Sequence, residues 1–334
     1  MSSPQGAPLH PDAVLYEEGA GLPQLPAVEH FAGSEKLMRK AMALQAERGP
    51  LFDITFDCED GAAAGAERAH AELVGTLIAG NDNRHGRIGA RIHDVTHPCW
   101  RDDLERIVGR CGDRLAYLTL PKPRGTTDVA RALGHLRDTE ARLGLQRAIP
   151  LHVLVETHGA LHEVWQIAAL PGVETLDFGL MDFVSAHHGA IPAAAMKSPG
   201  QFTHPLVLRA KTEIAAAALA HGVLPSHNVS TELVDLAAIE DDGRRAREQF
   251  GYLRMWSIHP AQIDPLLRAM RPGLDDVVDA GEILAVAQEA HWGPTRHRDR
   301  LHDRASYRYY WQVLKRARAT GMTLDDAVVR RFFA

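Results

Sequence analysis

The chain has 334 residues, 45% of them hydrophobic and 24% charged, with a formal net charge of −6. That length and apolar content suffice to bury one large core and leave chain for an appendage. The acidic balance excludes nucleic acid as a main partner, because such partners select a basic surface.

In chain order, residues 14–16 are the weakest strand signal and 34–47 a helix, together a candidate first strand–helix unit. Residues 51–56 (LFDITF) predict a strand and 62–78, rich in Ala, Glu and Leu, a helix. A strand is predicted at 86–92, a helix at 102–108, a strand at 115–120 (LAYLTL) and a helix at 127–143, with Thr126 or Thr127 as its cap. The pattern continues with a strand at 151–155 (LHVLV), a helix at 161–170 and a strand at 173–178. An Ala-rich helix is predicted at 206–221, a strand start at 223–225, a helix at 231–250 and a last strand at 253–258. Such repeated alternation implies parallel strands joined by crossover helices, and about eight units over roughly 260 residues predict an α/β chain folded as a (β/α)₈ TIM barrel. The rival, a doubly wound open sheet, calls for a glycine-rich phosphate loop after an early strand. Neither GxGxxG nor GxxxxGK[ST] occurs.

The domain organisation read from this is a flexible tail at 1–12, a barrel at 13–265 and a helical extension at 266–334 that packs on a neighbouring subunit. Helices are expected at 261–270, 274–290, 305–320 and 323–333, with a basic, polar linker at 292–304. The N-terminus lacks the basic and apolar regions of a secretory leader, and no apolar run approaches the roughly 18–20 residues of a membrane span. The three cysteines, Cys58, Cys99 and Cys111, are odd in number and show no CxxC spacing. These features predict a reduced, cytoplasmic protein with no membrane or nucleic-acid partner.

Catalytic residues of such barrels sit where strands end and loops begin. Seven successive predicted strands end in polar groups: Asp57-Cys58-Glu59-Asp60-Gly61, Arg91-Ile92-His93-Asp94, Pro121-Lys122-Pro123, Glu156-Thr157, Gly179 to Asp182, Ser226-His227-Asn228, and Ser257-Ile258-His259-Pro260. Glu156 and Asp182 each follow an apolar run on adjacent strands. Two carboxylates held close are costly without a cation between them. Mg²⁺ suits such a site, being a hard ion that takes one or two carboxylates and leaves positions for substrate oxygens. Capping or lysine pairing is the competing reading. Arg91 is placed to clamp a substrate carboxylate through its fork, or to pair with Asp57, Glu59 or Asp60. The acids Asp57, Glu59 and Asp60 orient Arg91 or metal-bound water, or form a solvated turn. Lys122, held between prolines, neutralises those acids or meets substrate. His259, His187 and His188 are read as hydrogen-bonding residues first. No GxSxG elbow points to a nucleophile.

These segments resemble the HpcH/HpaI aldolase/citrate lyase superfamily, in its citrate lyase β-subunit-like branch with the malyl-CoA lyases. Residues 56–61 resemble the family's D-x-E-D segment. Arg91 to His93 resembles its R-x-N, Glu156-Thr157 to Gly159 its I-E-T-x-x-G, Gly179 to Phe183 its G-x-x-D, and Ile258-His259-Pro260-Ala261-Gln262 its I-H-P-x-Q. The resemblance implies a TIM barrel, Mg²⁺ on Glu156 and Asp182, a substrate carboxylate on Arg91, carbon–carbon lyase chemistry and a homotrimer or homohexamer. Two departures stand out. Where the family carries an arginine-containing first-strand element, residues 14–19 are the counterpart and bring acids, and His93 replaces the asparagine. Asp325 and Asp326 are the candidates for an acid acting across subunits.

The reading is therefore a Mg²⁺-dependent lyase, with Mn²⁺ as a substitute. It cleaves a 2-hydroxy or 3-hydroxy acid or its CoA thioester by aldol or Claisen chemistry, with Arg91, Glu59 and Asp60 as catalytic candidates. Glu156 is a candidate substrate contact as well as a ligand, and Asp57, Lys122 and His259 stand behind the ligands. The alternatives are a metal-dependent aldolase of free 2-oxo acids and a non-catalytic barrel retained for binding.

Overall fold

The computed structural model describes residues 9–16 and 21–334. The elements in order are α1 (Pro11–Leu15), β1 (Val28–Ala32), α2 (Glu35–Arg48), β2 (Asp53–Asp57), α3 (Glu67–Ala79), β3 (Ile88–Arg91), α4 (Trp100–Cys111), β4 (Leu118–Leu120) and α5 (Thr126–Leu143). They continue with β5 (Leu151–Val155), α6 (His158–His162), α7 (Val164–Ala168), β6 (Val173–Phe178), α8 (Leu180–Ser185), α9 (Pro205–Ala220), β7 (Leu224–His227), α10 (Leu236–Phe250), β8 (Arg254–Ser257) and α11 (Ile263–Met270). The last are α12 (Leu274–Glu289), β9 (Thr295–His297), β10 (Arg300–His302), α13 (Arg304–Ala319) and α14 (Asp326–Phe332). Strands β1 to β8 close into a barrel in sequence order, each parallel to its neighbours, and β8 returns to β1. The expected TIM barrel is the observed fold.

Alternation along the strands sets the layers. In β2, Ile54 and Phe56 join the large apolar cluster between strands and helices. Asp53 and Thr55 are equally buried but face the barrel axis, where they meet residues of other strands. The interior is thus unusually polar. Arg254 of β8 is wholly buried and donates to Glu29 of β1 at 3.0 Å and to Asp53 of β2 at 2.6 Å. Thr55 donates to Glu29, and Trp256 Nε1 donates to Asp177 of β6 at 3.3 Å. His152 of β5 stacks on Tyr117 at 3.8 Å and bonds Glu174 at 3.1 Å. Buried charge is tolerated only when paired, as it is here, although Asp53 Oδ1 and His152 Nδ1 keep no hydrogen-bond partner. Above this layer, Phe31, Leu154 and Trp256 form a small apolar plug.

Contacts divide the chain into two compact units. One is Leu25–Met270, the barrel. The other joins the described residues 9–16 and 21–24 to Arg271–Ala334. In that unit Leu15 packs with Ala280, Leu284, Trp311 and Leu314.

Three expectations need correction. Residues 14–16 are not the first strand. Pro11 opens a short helix there, the His10 side chain accepting from the Asp12 amide, and Val14 and Leu15 serve the second unit's core. The first barrel strand is Val28–Ala32, so the comparison of residues 14–19 with the family's first-strand element fell on the wrong segment; residues 17–20 also lie outside the described residues. The C-terminal segment is not wholly helical either. Its polar stretch forms the β9–β10 hairpin, with Arg298 and Asp299 at positive φ in the turn. Finally, the helix expected at 161–170 is two short helices, α6 and α7, broken at Glu163. Of the expected tail at 1–12, residues 1–8 lie outside the described residues. No described helix is long and apolar enough to cross a membrane.

Candidate active site

The carboxyl ends of β2, β3, β5 and β6 bring the predicted groups together. Arg91, the last residue of β3, is only 8% exposed. Its fork grips Asp57, the last residue of β2, with Nε at 2.7 Å from Oδ1 and Nη2 at 2.5 Å from Oδ2. Its third nitrogen lies 3.0 Å from Glu59 Oε2. Burial alone would lower the Arg91 pKa, but the charges of Asp57, Glu59 and Glu156 more than offset it and raise it. Burial likewise pushes Asp57 up, and the Arg91 charge and hydrogen bonds overcome it to leave a net lowering. Asp57 also accepts from the Glu59 amide at 3.0 Å and the Gly61 amide at 2.7 Å. The acidic turn is therefore folded around a carboxylate rather than merely solvated.

Lys122 follows β4 in a left-handed conformation at φ 49°, rare outside glycine. Its ammonium bonds Glu59 and reaches Asp60 at 2.8 Å and Asp182 at 3.7 Å. Its amide donates to Glu156 Oε1 at 2.7 Å. Glu156 is 2% exposed. Burial first, then the Asp182 charge, push its carboxyl up to about 8. Asp182, in the first turn of α8, keeps 41% of its side chain exposed.

Gly179, between β6 and α8, makes room for this pair. A Cβ there would stand 2.0 Å from Glu156 Oε2. That close approach is the structural reason for the glycine in the Gly179–Asp182 segment, and sequence pattern did not reveal it.

Of the remaining candidates, Asp60 lies at the exposed edge of the cluster, 57% open, held by Lys122. His259 caps the turn Pro260–Gln262, its Nδ1 accepting from the Ala261 amide at 3.2 Å. His187 bonds the Phe183 carbonyl at 2.6 Å and leans on His158, while His188 is exposed. His93, where the family has asparagine, bonds buried Asp103 at 2.6 Å and stacks on His97 at 4.0 Å. Burial opposes its protonation, yet the Asp103 bond and charge raise its pKa. Phe31 was overlooked by the sequence reading. Its ring underlies the Arg91 guanidinium at 5.4 Å and stacks on Trp256 at 4.5 Å, forming an apolar floor. A phenylalanine two residues after a buried Glu was the only signal.

Residues 36–260 match the family model described as HpcH/HpaI aldolase/citrate lyase. The chain belongs to that family. A citrate lyase from Burkholderia xenovorans LB400 of known structure is 54% identical, covering 98% of this chain and 99% of that one, with a TM-score of 0.83. The L-malyl-CoA/β-methylmalyl-CoA lyase of Cereibacter sphaeroides is 26% identical over 278 residues, 79% of this chain and 86% of that protein. The Mycobacterium tuberculosis CitE protein, solved with magnesium, acetoacetate and coenzyme A, shares the fold at a TM-score of 0.65 and 20% identity, covering 88% of this chain and 98% of that one. Within the family the chain falls in the citrate lyase β-like and malyl-CoA lyase branch, and it is a carbon–carbon lyase.

Proposed function

We propose that the chain is a Mg²⁺-dependent lyase that cleaves a carbon–carbon bond in a 2-hydroxy or 3-hydroxy acid carried as its CoA thioester. Glu156 and Asp182 would hold the ion, and Mn²⁺ would replace it. The observation that carries the reading is the Glu156 carboxyl itself. It is buried, oriented by the Lys122 amide, cleared by Gly179 and burdened by the Asp182 charge. A hard divalent ion relieves that burden and matches an all-oxygen donor pair with open positions. When bound, the ion supplies Lewis-acid polarisation of a substrate carbonyl and stabilises the developing enolate charge.

The other residues divide the remaining work. Arg91 meets the substrate carboxylate from a guanidinium already fixed by Asp57 and Glu59, so little rotamer freedom is lost on binding. Glu59 spends its oxygens on Arg91 and Lys122, which makes it a positioning group for both cations. Asp60 remains a solvent-facing candidate for proton transfer through water, with Lys122 as its counter-charge. Phe31 and Trp256 keep water from below the reacting carbons.

The CoA thioester is favoured over the free acid by the malyl-CoA lyase relatives. Thermal melts separate the two. A CoA ester with Mg²⁺ should raise the melting temperature beyond oxalate or pyruvate with Mg²⁺. Stabilisation by the free acids alone would instead assign a CoA-independent 2-oxo-acid aldolase.

The proposal extends to assembly as a homotrimer or homohexamer in which residues 266–334 pack on a neighbour. Leu274 and Val278 of α12, 73% and 53% exposed, support it as apolar side chains left uncovered. Light scattering that returns a monomer mass would refute it.

A further inference from the structure

The polar stretch at 292–304 carries a second convergence of metal-ligating side chains, and it lies wholly within the C-terminal unit. Asp279 and Glu282, three residues apart on α12, share one helix face. His297 ends β9 opposite them. One ligand atom from each of these three side chains lies within 4.8 Å of the other two. His297 Nε2 is 3.3 Å from Glu282 Oε2 and 4.0 Å from Asp279 Oδ1. Asp279 Oδ1 is held by the Arg298 guanidinium at 2.6 Å, whereas His297 Nε2 makes no hydrogen bond although it is shut off from solvent. The same is true of Nδ1 of His302, a residue 6% exposed whose ring lies 6.3 Å from that of His297. Buried polar atoms without partners are rare in native proteins and ask for an explanation. The barrel interior offers a contrast. Glu29, His152 and Asp177 also converge there, but the wholly buried Arg254 already supplies a fixed cation to Glu29, and Glu174 and Trp256 bond His152 Nε2 and Asp177, although His152 Nδ1 is left without a partner there too.

We propose that Asp279, Glu282 and His297 bind a divalent transition-metal ion of the zinc class, with water or substrate-like ligands filling the remaining positions. Imidazole and carboxylate donors together select such an ion over Mg²⁺, which prefers oxygen alone. In a tetrahedral zinc site, donors about 2.0–2.1 Å from the ion stand about 3.3 Å from one another. The His297–Glu282 separation already has that value. The positive charge now facing the acids is Arg298, at 2.6 Å from Asp279 and 3.2 Å from Glu282. It sits at the hairpin turn, 60% exposed, and can swing into solvent when an ion takes its place. Two strands of three residues each do not stand alone in water; Tyr307 Oη already bonds Thr295 and the His302 carbonyl, and an ion would pin the hairpin to α12 as well.

The test is calorimetric titration of Zn²⁺ into chelator-treated full-length protein with excess Mg²⁺ present. It is repeated on Glu156→Gln, which removes the barrel-mouth carboxylate and keeps the two sites apart. One zinc equivalent should bind in both proteins. His297→Ala should weaken it at least about tenfold. Arg298→Ala, which removes the competing cation, should tighten it at least about threefold. Absence of zinc binding in Glu156→Gln, or unchanged affinity in His297→Ala, overturns the site. If His297→Ala does not fold, Arg298→Ala decides alone: unchanged or weaker zinc binding overturns it.

Discussion

The backbone amide of Lys122 donates to Glu156 Oε1 at 2.7 Å, while its ammonium turns away to Glu59, Asp60 and Asp182. One residue thus orients the buried carboxyl through its main chain and balances the surrounding acids through its side chain. The left-handed backbone of Lys122 makes both possible, at a cost of roughly 1–2 kcal/mol for an L-residue.

Gly179→Ala tests the steric side of the site. The glycine has an ordinary negative φ, so alanine strains no backbone, but its Cβ would fall 2.0 Å from Glu156 Oε2. The carboxyl must move, and Mg²⁺ affinity should fall at least about tenfold. The melting temperature without metal should change little. Equal Mg²⁺ affinity in the variant would show that Glu156 does not hold the ion.

Arg91→Lys tests the fork. Lysine keeps the charge but cannot grip Asp57 through two parallel bonds while reaching Glu59. Steady-state kinetics should show kcat/KM falling by about 10²–10³-fold, or roughly 3–4 kcal/mol of transition-state stabilisation. A change below about threefold would remove Arg91 from the substrate's path.

The barrel interior makes a pH prediction. Burial opposes the charge on His152, yet Glu174 and Glu29 raise its pKa to about 9. A raised folded-state value means that this contribution to stability is full below the unfolded value near 6.5 and is lost as pH rises through 9. Chemical denaturation from pH 6 to about 10 should show that loss, and His152→Gln should flatten it. Arg254→Met leaves Glu29 and Asp53 buried without their cation and should cost about 3–5 kcal/mol.

The same interior explains what the sequence revealed and what it hid. Strands β2 to β8 announced themselves as apolar runs ending in acids, imidazoles or cations, and the pairing of Arg91 with the 57–60 acids was anticipated. Strand β1 was missed because Glu29 and His30 interrupt it; Arg254, 225 residues away in sequence, together with Thr55 makes that Glu acceptable inside a barrel. Residues 292–304 looked like a linker because a three-residue hairpin strand has too few positions to display alternation. The need for Gly179 depends on a side chain one strand earlier in the sequence, and no local pattern encodes it.

The central claim is that Glu156 and Asp182 hold the catalytic ion, and calorimetric titration of Mg²⁺ into wild type, Glu156→Gln and Asp182→Asn tests it most directly. Below the Glu156 value of about 8, the ion must displace a proton from that carboxyl. Titrations in buffers of different ionisation enthalpy at pH 7 should therefore report close to one proton released per ion in the wild type, and Mg²⁺ affinity should rise about tenfold per pH unit up to 8. Both variants should lose binding, and Glu156→Gln should release no proton. Wild-type Mg²⁺ affinity with unchanged proton release in Glu156→Gln would contradict the account.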